Sequence, residues 1–175
     1  MMKFICLIVL ISFGTSALAE FRVEMLVAHG EQCGGTKDDL LKLSLYEISD
    51  TSTGKCMIDC MCKDVGIMDK NGKYNKDNLK TFIRSRWSEY DQYADKIADI
   101  CEIELKDDAE EDECQYAYDV ASCFAGQMRQ KHFFDSLLEK VKQFHDKLKS
   151  GSYKTPDSVK QKLNEDLAQL KTLLQ

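Results

Sequence analysis

The spacing of the cysteines constrains this chain more than any other feature of its sequence. Eight cysteines occur in 175 residues, and all but Cys6 lie after residue 19. A helix would place Cys56 and Cys60 on one face and Cys62 on another, because four residues return the chain to nearly the same side of the axis. The spacing alone leaves the pairing open. The seven cysteines after residue 19 are Cys33, Cys56, Cys60, Cys62, Cys101, Cys114 and Cys123.

Residues 1–19 have the features of a secretory signal. A short apolar block, residues 4–13, follows Lys3, and residues 17–19 form the small-x-small site that signal peptidase accepts. The block is about half the ~20 residues needed to span a bilayer. We therefore expect a secreted, extracellular chain that begins near Glu20. In that oxidising environment cysteines pair, and an odd number leaves one for a free thiol or an intermolecular bridge.

Charge and motifs exclude several function classes. The chain has 24 basic and 30 acidic residues and a net charge of −6, which disfavours a nucleic-acid partner. Its three histidines stand apart from any nucleophile motif, and no glycine loop for phosphate occurs. We therefore expect neither an enzyme nor a cofactor. A zinc site at Cys56, Cys60 and Cys62 is also disfavoured, because secreted cysteines have disulfide partners available.

Apolar residues recur at helical spacing through nearly the whole chain after the signal, and no stretch alternates like a strand. The pattern predicts an all-α fold of seven or eight helices. The first helix is predicted from Phe21 and stops before Gly30, and the second follows Thr36 as N-cap and includes Ile48.

The later helices are bounded less clearly. Asn75 is an expected N-cap, and Thr155 with the following proline is expected to begin the last helix. The periodicity leaves open whether the helix through Cys123 continues past Gly126 as far as Leu148.

The intervals between six of the cysteines resemble those of the insect odorant-binding proteins of the pheromone-binding and general odorant-binding group. That family has a gap in the twenties, Cys-x3-Cys, a gap near forty, and a cysteine followed by Cys-x8-Cys. Here the successive gaps are 22, three, 40, 12 and eight residues, from Cys33 to Cys123. Residues 66–74 and 112–124 also resemble the family's turn after the third cysteine and its helix around the last two. The resemblance covers residues 21–130.

The resemblance implies about six helices, linked by disulfides, around an apolar cavity. We expect this domain over residues 20–130, followed by a C-terminal extension of one or two helices over residues 131–175. The implied disulfides are Cys33–Cys60, Cys56–Cys114 and Cys101–Cys123. Cys62 has no counterpart, and it is interpreted as a buried small hydrophobe or, alternatively, as the site of an intermolecular bridge.

The resemblance further implies a non-enzymatic carrier of small hydrophobic molecules such as odorants, pheromones or related lipids. One alternative is a non-sensory secreted carrier, and another is an interaction protein that acts through its C-terminal helices. A homodimer and a membrane receptor are left open as partners, and no other protein partner is named. Apolar residues at helical spacing are expected to form both core and pocket lining. They are Leu45, Met57, Met61, Phe82, Ile83, Trp87, Tyr90, Tyr118, Phe124, Met128, Phe133 and Phe134.

The C-terminal extension differs in charge from the rest of the chain. Residues 126–175 carry ten basic and six acidic side chains, whereas residues 20–125 carry 13 and 24. We expect the last helix to pack on the domain or on the preceding helix and to cover part of a pocket entrance. A contact with a second chain is the alternative. The expected stripe is Val159, Leu163, Leu167, Leu170 and Leu174, and its partners on the preceding helix would be Leu137, Val141, Phe144 and Leu148.

The resemblance also allows pH-linked ligand release, as in several members of that group, and histidine is the residue that changes charge near pH 6 to 7. His132 and His145 are predicted to lie in the helices after Cys123. They are either a release switch or solvated surface groups.

Overall fold

The computed structural model describes residues 20–87, 90–105, 112–133 and 135–174, and most residues in these ranges are helical. The predicted signal lies outside them. The predicted all-α fold is confirmed, and within these ranges the extended structure is one bridge between Met68 and Tyr74. None of the helices described is long and apolar enough to cross a membrane. The helices are α1 (residues 20–32), α2 (Lys37–Leu43), α3 (Ser52–Asp64), α4 (Lys76–Arg86), α5 (Asp91–Glu104), α6 (Glu113–Gln130), α7 (Asp135–Ser150) and α8 (Asp157–Leu173).

Helix α1 continues past Gly30, so the prediction that it stops there is wrong. A Cβ atom on Gly30 would lie 2.7 Å from Leu43 Cδ2 and 2.9 Å from Leu40 Cδ2. The missing side chain therefore permits the close approach of α1 and α2. The lower helix propensity of glycine is outweighed by this packing.

Helix α2 begins as predicted, with Thr36 as N-cap and a capping box formed with Asp39. It ends at Leu43, so the prediction that it includes Ile48 is wrong. Tyr46 has a φ of 56°, a left-handed conformation that no helix can accommodate. Leu45 and Ile48 consequently lie in the loop between α2 and α3.

A turn separates α6 from α7, which answers the question that the periodicity left open. Helix α6 ends at Gln130, and His132 has a φ of 58°. This left-handed residue breaks the helix, whereas Gly126 stays inside it. His132 therefore lies in the turn and not in a helix as predicted.

Three disulfides tie four parts of the chain together. Cys33, just after α1, is bonded to Cys60 of α3. Cys56 of α3 is bonded to Cys114 of α6, and Cys101 of α5 to Cys123 of α6. These are the three pairs that the resemblance implies. The main hydrophobic core lies between these helices and also includes Val141 and Phe144 of α7.

Helix α8 packs on α1, so the domain itself is its partner. Ala28, Val159 and Leu163 form a second apolar cluster, and Phe21, Met25 and Leu167 surround it. The predicted stripe is thus covered within the chain. The N-cap of α8 is Pro156, one residue later than expected.

Candidate ligand-binding site

Six aromatic rings form a continuous cluster where α4 ends, α5 begins and α6 ends. Trp87 lies at its centre, with its ring centroid 5.2 Å from Phe82, 5.7 Å from Phe124 and 5.4 Å from Phe133. Tyr90 extends the cluster, 4.8 Å from Phe133. Most of these pairs meet edge to face, which is a favourable geometry for aromatic rings. We call the set the aromatic cluster: Phe82, Trp87, Tyr90, Tyr93, Phe124 and Phe133.

Backbone hydrogen bonds at the helix ends hold these rings in place. The Trp87 amide donates to the Ile83 carbonyl at 2.8 Å and ends α4. The Tyr90 amide then donates to the Trp87 carbonyl at 2.8 Å, just before α5. The Phe133 amide donates to the Met128 carbonyl at 3.3 Å, in the turn after α6. Residues from three separate parts of the chain therefore converge on one place.

The aromatic cluster is only partly enclosed. Phe133 is buried, whereas Phe82, Trp87, Tyr90 and Phe124 are half-buried. At its edge, Lys131 Nζ lies 5.1 Å above the centre of the Tyr93 ring, a position that suits a cation–π interaction. The rings of the aromatic cluster therefore pack against the main core and keep part of their surface in contact with solvent.

The remaining predicted lining residues fall into two other places. Met57, Met61, Ile83 and Met128 are buried in the main core. The structure places these four residues in the core, and their role in lining a pocket remains a prediction. Phe134 lies outside the described residues.

Leu45 and Tyr118 line a separate, half-open groove of about 610 Å³ between the α2–α3 loop, α6 and α7. Sequence reasoning missed most of its walls, although Tyr118, Ser122, Ala125 and Arg129 share one face of α6. Tyr93 of the aromatic cluster was missed as well, despite its position one helical turn after Tyr90. The groove is lined by Leu45, Glu47, Ile48, Tyr118, Ser122, Ala125, Arg129, Asp135 and Leu138.

The sequence model of the PBP/GOBP family matches residues 16–127, which is well over half of the chain. The chain belongs to the PBP/GOBP family. Its members are non-enzymatic binding proteins, so the expectation that this chain is not an enzyme is confirmed.

Two relatives of this PBP/GOBP protein are from Drosophila melanogaster. General odorant-binding protein 19d is 28% identical over 103 residues, which are 57% of this chain and 66% of that relative, just under two thirds of its length. The solved structure of odorant-binding protein dmelOBP28a is 25% identical, with a TM-score of 0.49 over 67% of this chain and 96% of that one.

The cysteine outside the family's six is enclosed by the core. Cys62 is unpaired and 7% exposed. Burial, reinforced by the charge of Asp59, raises the pKa of its thiol to about 12. The thiol is therefore protonated and inaccessible, as in the interpretation of Cys62 as a small hydrophobe.

One group of potential metal ligands lies at the junction of α1 and α3. His29, Cys33 and Asp64 have ligand atoms within 4.8 Å of one another. The sulfur of Cys33 is bonded to Cys60, so it offers no thiolate. His29 Nε2 lies 3.1 Å from Asp64 Oδ2. Burial lowers the pKa of His29, and the Asp64 contact opposes this effect.

The two histidines considered as a release switch have different surroundings. His132 is highly exposed, with Nδ1 2.9 Å from Asp135 Oδ2. His145 of α7 is half-buried, with Nδ1 2.8 Å from the hydroxyl of Ser44, the C-cap of α2. His132 directly precedes Phe133 of the aromatic cluster, and the switch remains a prediction.

Proposed function

We propose that this PBP/GOBP protein is an extracellular carrier that binds small hydrophobic molecules, such as odorants, pheromones or related lipids, at the aromatic cluster. Family membership supports the class of ligand. The partly enclosed aromatic cluster supports the place, because pockets for apolar molecules are lined by such side chains. Burial of apolar surface would supply the affinity, at about 25 cal/mol per Å².

The aromatic cluster suits an apolar ligand better than the groove does. Glu47, Arg129 and Asp135 bring charged groups of both signs to the groove. A neutral hydrocarbon chain would have to displace water from these groups without replacing their hydrogen bonds. The rings around Trp87 impose no such cost.

The buried methionines provide room for adjustment beneath the rings. Met128 is one helical turn after Phe124 on α6, and its carbonyl accepts the hydrogen bond from Phe133. Methionine has a flexible, unbranched side chain that adapts to differently shaped neighbours. We propose that Met128, together with Met57, Met61 and Ile83, lines the inner end of the pocket when a ligand enters.

An extracellular location is supported by the three disulfides and by the signal-like residues 1–19. The alternative of an interaction protein acting through its C-terminal helices has less support. Val159 and Leu163 of α8 are buried against α1, so this stripe is not open to a second chain.

Displacement of the fluorescent apolar probe N-phenyl-1-naphthylamine tests the proposal. We expect long-chain alcohols, esters or fatty acids to displace it, and we expect Trp87→Ala to raise the Kd of the probe about tenfold, because a large buried contact is lost. Tyr118→Ala, which removes an aromatic ring from the groove, is the matched control and should leave the Kd unchanged.

Each outcome assigns the site. If Tyr118→Ala weakens binding and Trp87→Ala does not, the groove is the site and the aromatic cluster is not. If no compound of these classes displaces the probe, the protein is not a carrier of this kind. Trp87 is the sole tryptophan of the chain, so quenching of its emission in the unaltered protein provides a second, independent measurement.

A further inference from the structure

We propose that α8 positions the aromatic cluster through the contact between Asp166 and Arg86. This inference rests on the proposed function, because it concerns the same site. It assigns a role to the C-terminal helix, which lies beyond the part of the chain that the PBP/GOBP family model matches.

One residue of α8 supplies two acceptors to a single guanidinium group. Arg86 Nη1 donates to Asp166 Oδ2 at 2.6 Å, and Arg86 Nη2 donates to the Asp166 backbone carbonyl at 3.2 Å. The two side chains are only 30% and 18% exposed. Two charge-assisted hydrogen bonds from one planar group fix its orientation as well as its position.

The contact lies next to the centre of the aromatic cluster. Arg86 is the last residue of α4, and the following residue, Trp87, packs against Phe82, Phe124 and Phe133. A shift of the Arg86 backbone would therefore move Trp87 directly. No intervening element is needed to transmit the effect.

The end of α4 is held from a second side by α5. Arg84 Nε donates to Asp91 at 2.8 Å, and Arg84 Nη2 donates to Asp95 at 2.8 Å. These side chains are 44–64% exposed, so solvent screens their attraction more strongly than that of the enclosed Arg86–Asp166 pair. The contact with α8 is therefore the more restrictive of the two.

Helix α8 is itself anchored independently of Asp166. Val159 and Leu163 pack with Ala28 of α1 near its beginning. At its other end, Leu174 lies so close to Gly66 that a Cβ on that glycine would be 2.6 Å from Leu174 Cδ1. Asp166 is thus presented to Arg86 from a helix fixed at both ends, and its replacement should leave α8 docked.

The test compares Asp166→Ala with Glu165→Ala in the full chain. Both substitutions remove one carboxylate from α8, but Glu165 is exposed, and within the described part of the chain its side chain bonds to Gln161 and Lys162 of the same helix. We expect Asp166→Ala to shift the emission of Trp87 and to raise the Kd of N-phenyl-1-naphthylamine about three- to tenfold. Asp166→Asn, which keeps an oxygen acceptor, should have a smaller effect, and Glu165→Ala should change neither property.

Two results would overturn the proposal. One is an unchanged Trp87 emission and Kd in Asp166→Ala, even with a lowered melting temperature, since this would show a contribution to stability alone. The other is an equal effect of Glu165→Ala. If the unaltered protein does not bind the probe, the proposed function fails, while the Trp87 emission still reports whether Asp166 positions the ring.

Discussion

Removal of the negative charge of Asp39 should lower the stability of the fold substantially. The Asp39 carboxylate is fully buried, and each of its oxygens accepts two hydrogen bonds. Oδ2 accepts from the amide and the hydroxyl of Thr36, at 3.0 and 2.6 Å. Oδ1 accepts from the hydroxyls of Ser49 and Thr51, at 2.5 and 2.7 Å. Thr51 also caps α3 by accepting from the Gly54 amide, so one carboxylate joins the starts of α2 and α3.

The size of the effect follows from the pKa. Burial alone would raise the pKa of Asp39, but the hydrogen bonds from Ser49, Thr36 and Thr51 lower it from 3.8 to about 2. Each pKa unit corresponds to about 1.4 kcal/mol, so ionised Asp39 contributes about 2 kcal/mol to folding. An asparagine would replace one acceptor oxygen with an NH2 group, which cannot accept hydrogen bonds from the surrounding donors. The Thr51 hydroxyl cannot easily reverse its role, because its oxygen already accepts from the Gly54 amide. We therefore expect Asp39→Asn to lower the free energy of unfolding by about 2 to 3 kcal/mol at pH 7.

The pH dependence supplies a sharper test. Because the folded pKa is depressed, the contribution of Asp39 is fully present above about pH 4 and is lost as the pH falls towards 2. Urea unfolding followed by circular dichroism, with the disulfides intact, should show a stability difference that is constant from pH 7 to 5 and narrows at pH 3. Asp38→Asn, an exposed acid in the same helical turn, is the control and should change stability by less than about 0.5 kcal/mol. A difference that persists unchanged at pH 3, or an equal loss in Asp38→Asn, would refute the reasoning.

Three further substitutions test other parts of the structure. Because burial lowers the pKa of His29 in the folded state, the free energy of unfolding in urea should fall as the pH decreases below about 6.5. His29→Gln should reduce this dependence on pH, while His132→Gln, at an exposed position, should retain it. In calorimetry, Leu163→Ala should lower stability by about 2 to 4 kcal/mol, and Leu173→Ala, at a 63% exposed position, should have almost no effect. Cys62→Ala should leave the mobility on non-reducing electrophoresis unchanged, and loss of a covalent dimer would contradict the burial of its thiol.

The all-α class and several helix boundaries could be predicted because they depend on local sequence. Thr36 and Asn75 accept hydrogen bonds from amides three residues along the chain, and a pattern of neighbours is sufficient to identify such caps. The disulfide pairs were implied by the resemblance to a family, since the spacing by itself allows many pairings. The boundaries that were wrong lie where packing outweighs propensity. Gly30 stays in a helix because α2 approaches it closely, and Tyr46 adopts a left-handed conformation that its neighbours do not indicate.

The site depended on which helix faces meet, and helical periodicity shows only that a face is apolar. Met57 and Trp87 are both apolar residues at helical spacing. Met57 is nevertheless buried in the core, whereas Trp87 lies at the centre of the aromatic cluster. The apolar stripe of α8 needed a partner, but only the tertiary structure shows that its first part packs on α1 and that Leu174 at its end lies against Gly66. The Arg86–Asp166 contact joins residues 80 positions apart. The sequence by itself therefore determined the helices and their apolar faces, and long-range packing decided which of those faces form a site.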